Sequence, residues 1–484
     1  MPLRSNAALS PPLPTGGKSG PADTRGKARR VIFRIVLVLV IALAALAGYA
    51  VAYPDRMPDA VGQIVQDLTG ENAHPITLVR PPVAPLSAMA LLGQQIFNDP
   101  SLSASGKQSC ASCHSPQHAY APPNNLSLQL GGPHMKDFGY RPAPSLEYLY
   151  RQASFSIGPD QNDNDAAPVS LAQLALAAKG VQRAVKTAGV APAAPAMVPQ
   201  GGFFWDGRAS TLQEQALGPM LNPVEMANAN EAAVEKKLLA APYIDGFKKL
   251  FGPNILNDPN MLLSEAMFAV GRYQFEDSSF HPFNSKYDYW LEGKARLTRA
   301  ELHGLQLFND PDKANCAGCH LSKASPDGLP PLFTDTQYEA LGVPRNPAIA
   351  LNKDPKFFDM GVCGPFRTDI SRQTQYCGMF LTPTLRNVST RHVFFHNGVY
   401  HDLRQVMDFY NLRNTNPEKI YPHDASGKPL KYDDLPPQYQ ANIDVADAPF
   451  DRKFGDKPAM TDDEIQDIIA FMGTLVDGYK VSSQ

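Results

Sequence analysis

Apolar positions along the chain fall into three patterns. Residues 35–53, IVLVLVIALAALAGYAVAY, form an uncharged apolar run of 19. At ~1.5 Å per residue such a helix reaches about 28 Å, near the thickness of a bilayer's hydrocarbon core. Near the other end, Thr461 and Glu464 make a capping box, and Ile465, Ile468, Ile469, Met472 and Leu475 follow on one helical face. That spacing predicts an amphipathic closing helix. The third pattern repeats: LSAMALLGQQIFNDP at 86–100 and LTRAELHGLQLFNDP at 297–311 agree at eight of fifteen positions. Two helices ending at F-N-D-P predict a mainly α fold of two homologous domains in tandem, preceded by one transmembrane helix.

Composition sets the boundaries. Residues 1–30 are Pro/Gly/Ser-rich and basic, which predicts a disordered cytoplasmic tail. Residues 31–53 are the anchor, 54–85 a linker with Pro81, Pro82 and Pro85, 86–285 the first domain and 286–484 the second. Inserted stretches at 185–200 and 413–460 suggest no chemistry of their own. Arg4, Lys18, Arg25, Lys27, Arg29, Arg30 and Arg34 outnumber Asp23 before the apolar run, so the positive-inside bias exports everything after Tyr53. A cleaved signal peptide is the alternative, with Ala50-Val51-Ala52 as its cleavage site. The run is longer than the usual apolar region of about 7–15 residues, which favours the anchor. The 45 prolines among 484 residues predict many loops. A net charge of −3 with mixed signs offers no field for nucleic acid.

Four of the six cysteines stand in two copies of C-x-x-C-H, Cys110-Ala-Ser-Cys113-His114 and Cys316-Ala-Gly-Cys319-His320. This is the attachment signal of c-type haem, in which the thiols bond the porphyrin and the histidine ligates the iron. A zinc site explains the cysteine pairs but not the histidine after each. Two covalent haem c groups are expected. Cys363 and Cys377 lie 14 residues apart in an exported chain, so a structural disulfide is expected rather than two free thiols. It would contribute about 3 kcal/mol.

Beyond residue 86 the chain resembles the bacterial di-haem cytochrome c peroxidase / MauG family. The resemblance is carried by SCASCH, FFWDGRASTLQEQALGPMLNPVEM at 203–226, NCAGCH, and TPTLRNVSTRHVFFHNGVYHDLRQVMDFY at 382–410. It implies a peroxidatic haem in residues 86–285 and an electron-transfer haem in 286–484. Gln215, Pro219 and Glu225 then line the peroxide pocket, with Glu225 as acid/base, since a carboxyl in a partly apolar pocket is raised toward working pH. Trp205 is implied between the haems as an electron relay. Asp206 and Arg208 would fix the turn or meet a haem propionate.

The resemblance also implies the remaining iron ligands. Fourteen residues after His396 stands Tyr410, where peroxidases of the family generally carry Met and MauG-like members Tyr. Met407 is the fallback ligand and Met379 a weaker one. His134 stands seven residues before Arg141, as does a histidine that ligates the first haem in the peroxidases; His118 is nearer in sequence but expected to be exposed. The family's inter-haem calcium takes an Asn side chain where this chain has Pro142, plus carbonyls at the positions of Arg391 and Val393. Calcium loses an oxygen here.

The expectation is a periplasmic, membrane-anchored oxidoreductase. It would reduce hydrogen peroxide to water with electrons from a small cytochrome c or cupredoxin. The alternatives are a MauG-like enzyme oxidising side chains of a partner protein, for which Tyr410 speaks, and a non-enzymatic electron carrier, which has no use for Gln215, Pro219 and Glu225.

Overall fold

The computed structural model describes residues 59–160 and 197–481, with six scattered positions between 33 and 40. Residues 1–30, nearly all of the 31–53 run and most of the first insertion lie outside the described residues. Among the described residues no helix is long and apolar enough to cross a membrane.

The helices of more than one turn are α1 (Asp59–Thr69), α2 (Ala88–Phe97), α3 (Leu212–Leu221), α4 (Glu231–Leu239), α5 (Ile244–Phe251), α6 (Pro259–Glu276), α7 (Lys286–Leu291), α8 (Arg299–Asn309), α9 (Leu403–Leu412) and α10 (Asp462–Gly473), and single turns such as Cys110–Cys113 lie between them. Three short antiparallel pairs join β1 (Leu130–Gly131) to β2 (Asp137–Phe138), β3 (Ser156–Pro159) to β4 (Met197–Gln200), and β5 (Tyr338–Glu339) to β6 (Phe380–Leu381). Each strand is too short to carry a core, so the helices do.

Two apolar cores result. In one, Leu92, Ile96 and Phe97 of α2 pack against Ala266, Val270 and Tyr273 of α6. In the other, Leu302, Leu305 and Phe308 of α8 pack against Ile465, Ile468 and Phe471 of α10. The repeated glycine explains both crossings. A Cβ on Gly93 would stand 1.8 Å from the Ala269 carbonyl oxygen, and one on Gly304 1.9 Å from that of Asp467. Only glycine lets these helix backbones touch. The helices start on matched caps, Ser87 Oγ accepting from Ala90 N and Thr298 Oγ1 from Glu301 N. The closing helix α10 begins on the expected Thr461–Glu464 capping box.

Two further segments repeat in three dimensions. Phe203–Leu221 and Phe394–Leu412 each run through an antiparallel bridge, Phe203 to Ala209 and Phe394 to Tyr400. Left-handed residues recur at Phe204 and Phe395 and at Gly207 and Gly398. Each copy then enters a helix capped by Thr211 or Asp402. At one constant offset, Trp205 stands opposite His396 and Pro219 opposite Tyr410. Likewise Pro144–Tyr148 matches Pro383–Asn387: Ser145 Oγ donates to Ala119 O and Thr384 Oγ1 to Leu332 O, both at 2.6 Å.

Two expectations are corrected. The 54–85 stretch is no loose linker: it contains α1, and beyond it Leu78 enters the second core, the Gly70 carbonyl accepts from Trp290 Nε1 at 3.0 Å, and Arg80 pairs with Glu292 at 2.8 Å. The 413–460 insertion is more than a surface excursion, because Asp434, Asp444 and Phe450 line a cavity. Polar composition concealed how its few aromatics and buried acids face inward.

Candidate functional site

Each C-x-x-C-H segment borders a cavity, of ≈ 220 Å³ at Cys110, Cys113 and His114 and ≈ 470 Å³ at Cys316, Cys319 and His320. The cysteine pairs are free of disulfides. Each histidine is half-buried at its cavity wall, and its Nδ1 bonds a backbone carbonyl, His114 to Tyr120 O at 3.0 Å and His320 to Phe333 O at 2.9 Å. Burial pulls both imidazoles down to about 4. They are therefore neutral, with the proton on Nδ1 and the Nε2 lone pair left to ligate.

The first cavity gathers Trp205, Arg208, Gln215, Pro219 and Glu225. Gln215 and Pro219 lie one turn apart on α3, where the proline has no N–H for the Gln215 carbonyl. Among the described residues the Gln215 side-chain amide has no protein partner. Glu225 follows in the loop after α3. Its Oε1 accepts from Asn222 Nδ2 at 2.8 Å, leaving Oε2 for the cavity. Burial raises this carboxyl above the ordinary carboxylate range, opposed by the Arg208 charge and the Asn222 bond.

The second cavity gathers His320, Met407 and Tyr410. Tyr410 stacks on Phe450 with ring centroids 5.3 Å apart, and burial raises its phenol. Among the described residues its hydroxyl has no hydrogen-bond partner, which leaves it as a donor oxygen toward the cavity. Met407 is buried one turn earlier in the second core. His396 stacks on Phe380 at 3.5 Å and bonds Asp434 at 3.2 Å.

Trp205 lines both cavities. Its Nε1 donates to the Pro142 carbonyl at 3.0 Å, so both sides of the shared wall hold the ring. Beneath it Asp206, fully buried, takes Arg141 at 2.8 Å and Arg208 at 2.9 Å, and Arg141 also grips Asp359 at 2.7 Å. Gly207 closes this turn at φ +67°, where a Cβ would meet the Tyr338 hydroxyl at 2.1 Å. Arg208 thus fixes the turn, and its guanidinium lies 3.7 Å from the Phe204 ring centroid.

Other candidates stay apart. His134 sits exposed in the β1–β2 turn and lines neither cavity, because that two-residue pairing turns it outward. His118 is exposed and bonds Ser115 Oγ at 3.0 Å. Met379 packs in the small apolar clusters around Tyr338 and Leu435. At the position considered for calcium, Pro142 packs against Gly398, while its carbonyl is taken by Trp205. Among the described residues no cluster of three or more His, Cys, Asp or Glu forms a metal site. Cys363 and Cys377 are disulfide-bonded, with Cα atoms 5.0 Å apart.

Sequence reasoning missed Glu147 and the guanidinium of Arg391. Glu147 borders the first cavity and Arg391 both. The Arg391 Nε is buried without a hydrogen-bond partner. The repeat of P-S-L at 144–146 in P-T-L at 383–385 is the signal that could have found Glu147; none marks Arg391.

The chain is 31% identical over 447 residues to the methylamine utilization protein MauG of Paracoccus denitrificans, covering 90% of this chain and 96% of that protein. It belongs to the bacterial di-haem cytochrome c peroxidase and MauG family. The model of this family, described as di-haem cytochrome c peroxidase, matches residues 87–296. The cytochrome c551 peroxidase of Nitrosomonas europaea is 29% identical over 345 residues, 70% of this chain and 76% of that one. The crystal structure of the diheme peroxidase BthA from Burkholderia thailandensis superposes with a TM-score of 0.68 at 34% identity, covering 83% of this chain and 90% of that chain.

Family membership implies haem c, and the residues fit it. Each cavity offers two thiols and a neutral imidazole, and the unpartnered Arg391 Nε in the wall suits the propionate carboxylates a haem brings.

Proposed function

We propose that this protein reduces hydrogen peroxide to water in the cavity of His114, with electrons that arrive through the cavity of His320. The reading is carried by one asymmetry. Where α9 presents Tyr410 opposite His320, the matching position of α3 is Pro219, which has no donor atom. One cavity is closed by a ligand and the other is open to peroxide. Haem c bound to Cys110, Cys113 and His114 would supply the iron that takes up peroxide and the electrons that break its O–O bond.

The chain's own groups handle protons and orientation. Glu225 Oε2 takes the proton of the near peroxide oxygen and returns it to the far one, a transfer suited to its raised carboxyl. Asn222 fixes the other oxygen, and the Gln215 amide orients the peroxide. Trp205 bridges the cavities for electrons donated by a small cytochrome or cupredoxin. Calcium has no place in this reading.

A second reading has its own observation. Tyr410 would give the second iron a hard anionic ligand that favours its oxidised states, and the relative named MauG aligns over nearly its whole length. That favours long-range oxidation of side chains on a partner protein. We also read the chain as exported to the periplasm and tethered to the inner membrane by residues 31–53, supported by the basic flank, the haem motifs and the disulfide.

The test is electron paramagnetic resonance of the diferric protein before and after peroxide. A high-spin signal beside a low-spin one, with the high-spin signal lost on adding peroxide, is expected. Two low-spin signals that peroxide leaves unmoved would overturn the open cavity. Turnover with a reduced donor protein then separates peroxidase from long-range oxidation.

A further inference from the structure

Glu147 borders the first cavity and is only 5% exposed. By the repeat of Pro144–Tyr148 in Pro383–Asn387 it occupies the position that Arg386 holds in the second half. Arg386 is answered in full: it meets Asp288 through two bonds of 3.0 and 2.6 Å, and both side chains are 0% exposed. Glu147 is not. Its Oε2 accepts from Asn387 Nδ2 at 2.5 Å, and among the described residues no cation hydrogen-bonds to it.

The same Asn387 nitrogen donates to Asp477 Oδ2 at 2.7 Å, and that oxygen also accepts from the Tyr148 hydroxyl at 2.5 Å. Asp477 is compensated elsewhere, since Arg386 Nη1 stands 3.8 Å from its Oδ1 and Asn284 N–H donates to that oxygen at 3.0 Å, whereas Glu147 shares the amide with this like charge and has no bonded cation among the described residues. The groups facing Glu147 are Asp477 from the segment after α10, Arg386 and Arg391 from residues 382–391, and Tyr148 on its own segment. Burial first, then the Asp477 charge, push Glu147 up to about 8, while Asn387, Arg391 and Arg386 pull it down. Arg391 lines both cavities, so this cluster reaches the wall that they share.

We infer that Glu147 is a proton-exchanging residue that takes up a proton from solvent when an electron enters the haem cavities and releases it when that electron leaves. The inference rests on the reading that both cavities hold haem c. Charge balances, since one electron from the donor protein is matched by one proton on the carboxylate. Peroxide reduction consumes two of each, and Glu147 stores a proton beside the cavity where it is used.

The test is a spectroscopic redox titration of the full-length holoprotein between about pH 5.5 and 9.5, with haem content measured separately. In the unaltered protein the midpoint potential of one haem falls as pH rises. The limit is about 59 mV for each tenfold drop in proton concentration. In Glu147→Gln that potential becomes flat and stays at the acid-limit value of the unaltered protein, because Gln mimics the protonated carboxyl. A slope that persists in Glu147→Gln, or is absent from the unaltered protein, overturns the assignment. Fewer than two haems per chain would instead fail the reading beneath it. Should the variant not fold, reduced-minus-oxidised infrared spectra of the unaltered protein above neutral pH must gain a protonated-carboxyl band on reduction. Its absence also overturns the proposal.

Discussion

The two halves share three devices, and three of their side-chain differences bear on the cavities. Both cross a pair of helices through a glycine, both seat a neutral histidine under a backbone carbonyl, and both lay a capped helix over the cavity. The differences are Pro219 against Tyr410, Trp205 against His396, and Glu147 against Arg386. Shared positions make a haem-binding unit; unshared ones divide the labour. On the proposed reading, proline leaves one cavity open while tyrosine closes the other. Tryptophan faces both cavities while His396 is tied down by Asp434. A carboxyl able to hold a proton stands where the other half has a permanently charged, fully paired arginine. A duplicated scaffold thus carries two roles without a second fold.

The comparison breaks most sharply at Glu225, whose match at the same offset is Asn416, a residue that carries no carboxyl and does not line the second cavity. Glu225→Gln should lower peroxide turnover by about 10²–10⁴-fold, read by stopped-flow mixing, while both haems stay attached. Unaltered turnover would remove Glu225 from the chemistry. Next comes the buried Arg386–Asp288 pair. Arg386→Met leaves Asp288 uncompensated and should cost about 3–5 kcal/mol in denaturant unfolding. Glu147→Gln at the matched position keeps the amide bond and should cost far less. An equal cost at both would void that contrast.

Two predictions test the shared part. Gly304→Ala and Gly93→Ala should each destabilise by about 1–3 kcal/mol, by the same mechanism, in thermal unfolding. A tolerated alanine at either would mean that its crossing is looser than the 1.8 and 1.9 Å approaches require. Smallest are the caps: Ser87→Ala and Thr298→Ala should each cost ~1 kcal/mol. Unequal costs would mark the half whose helix depends more on its own terminus.

Much of this was written in local signals. C-x-x-C-H is a covalent chemistry spelled in five adjacent residues, the F-N-D-P helices repeat in plain view, and the Thr461 capping box needs only four positions. The WDGR and EM residues were legible through the family they resemble. What stayed hidden needed partners distant in the chain. His134 had the right spacing, yet a two-residue hairpin turns it outward. The 413–460 stretch read as polar filler, yet Phe450 and Asp434 reach a cavity whose lining begins at Ala121, more than three hundred positions earlier. Glu147 carries no local mark in the sequence; Asn387 and Asp477, 240 and 330 residues onward, are what enclose it. Covalent motifs, caps and helix periodicity act over a few residues, so the chain states them directly. Burial, an unpaired guanidinium and the proton affinity of a carboxyl depend on what surrounds a group in space, and only the folded chain brings those surroundings together.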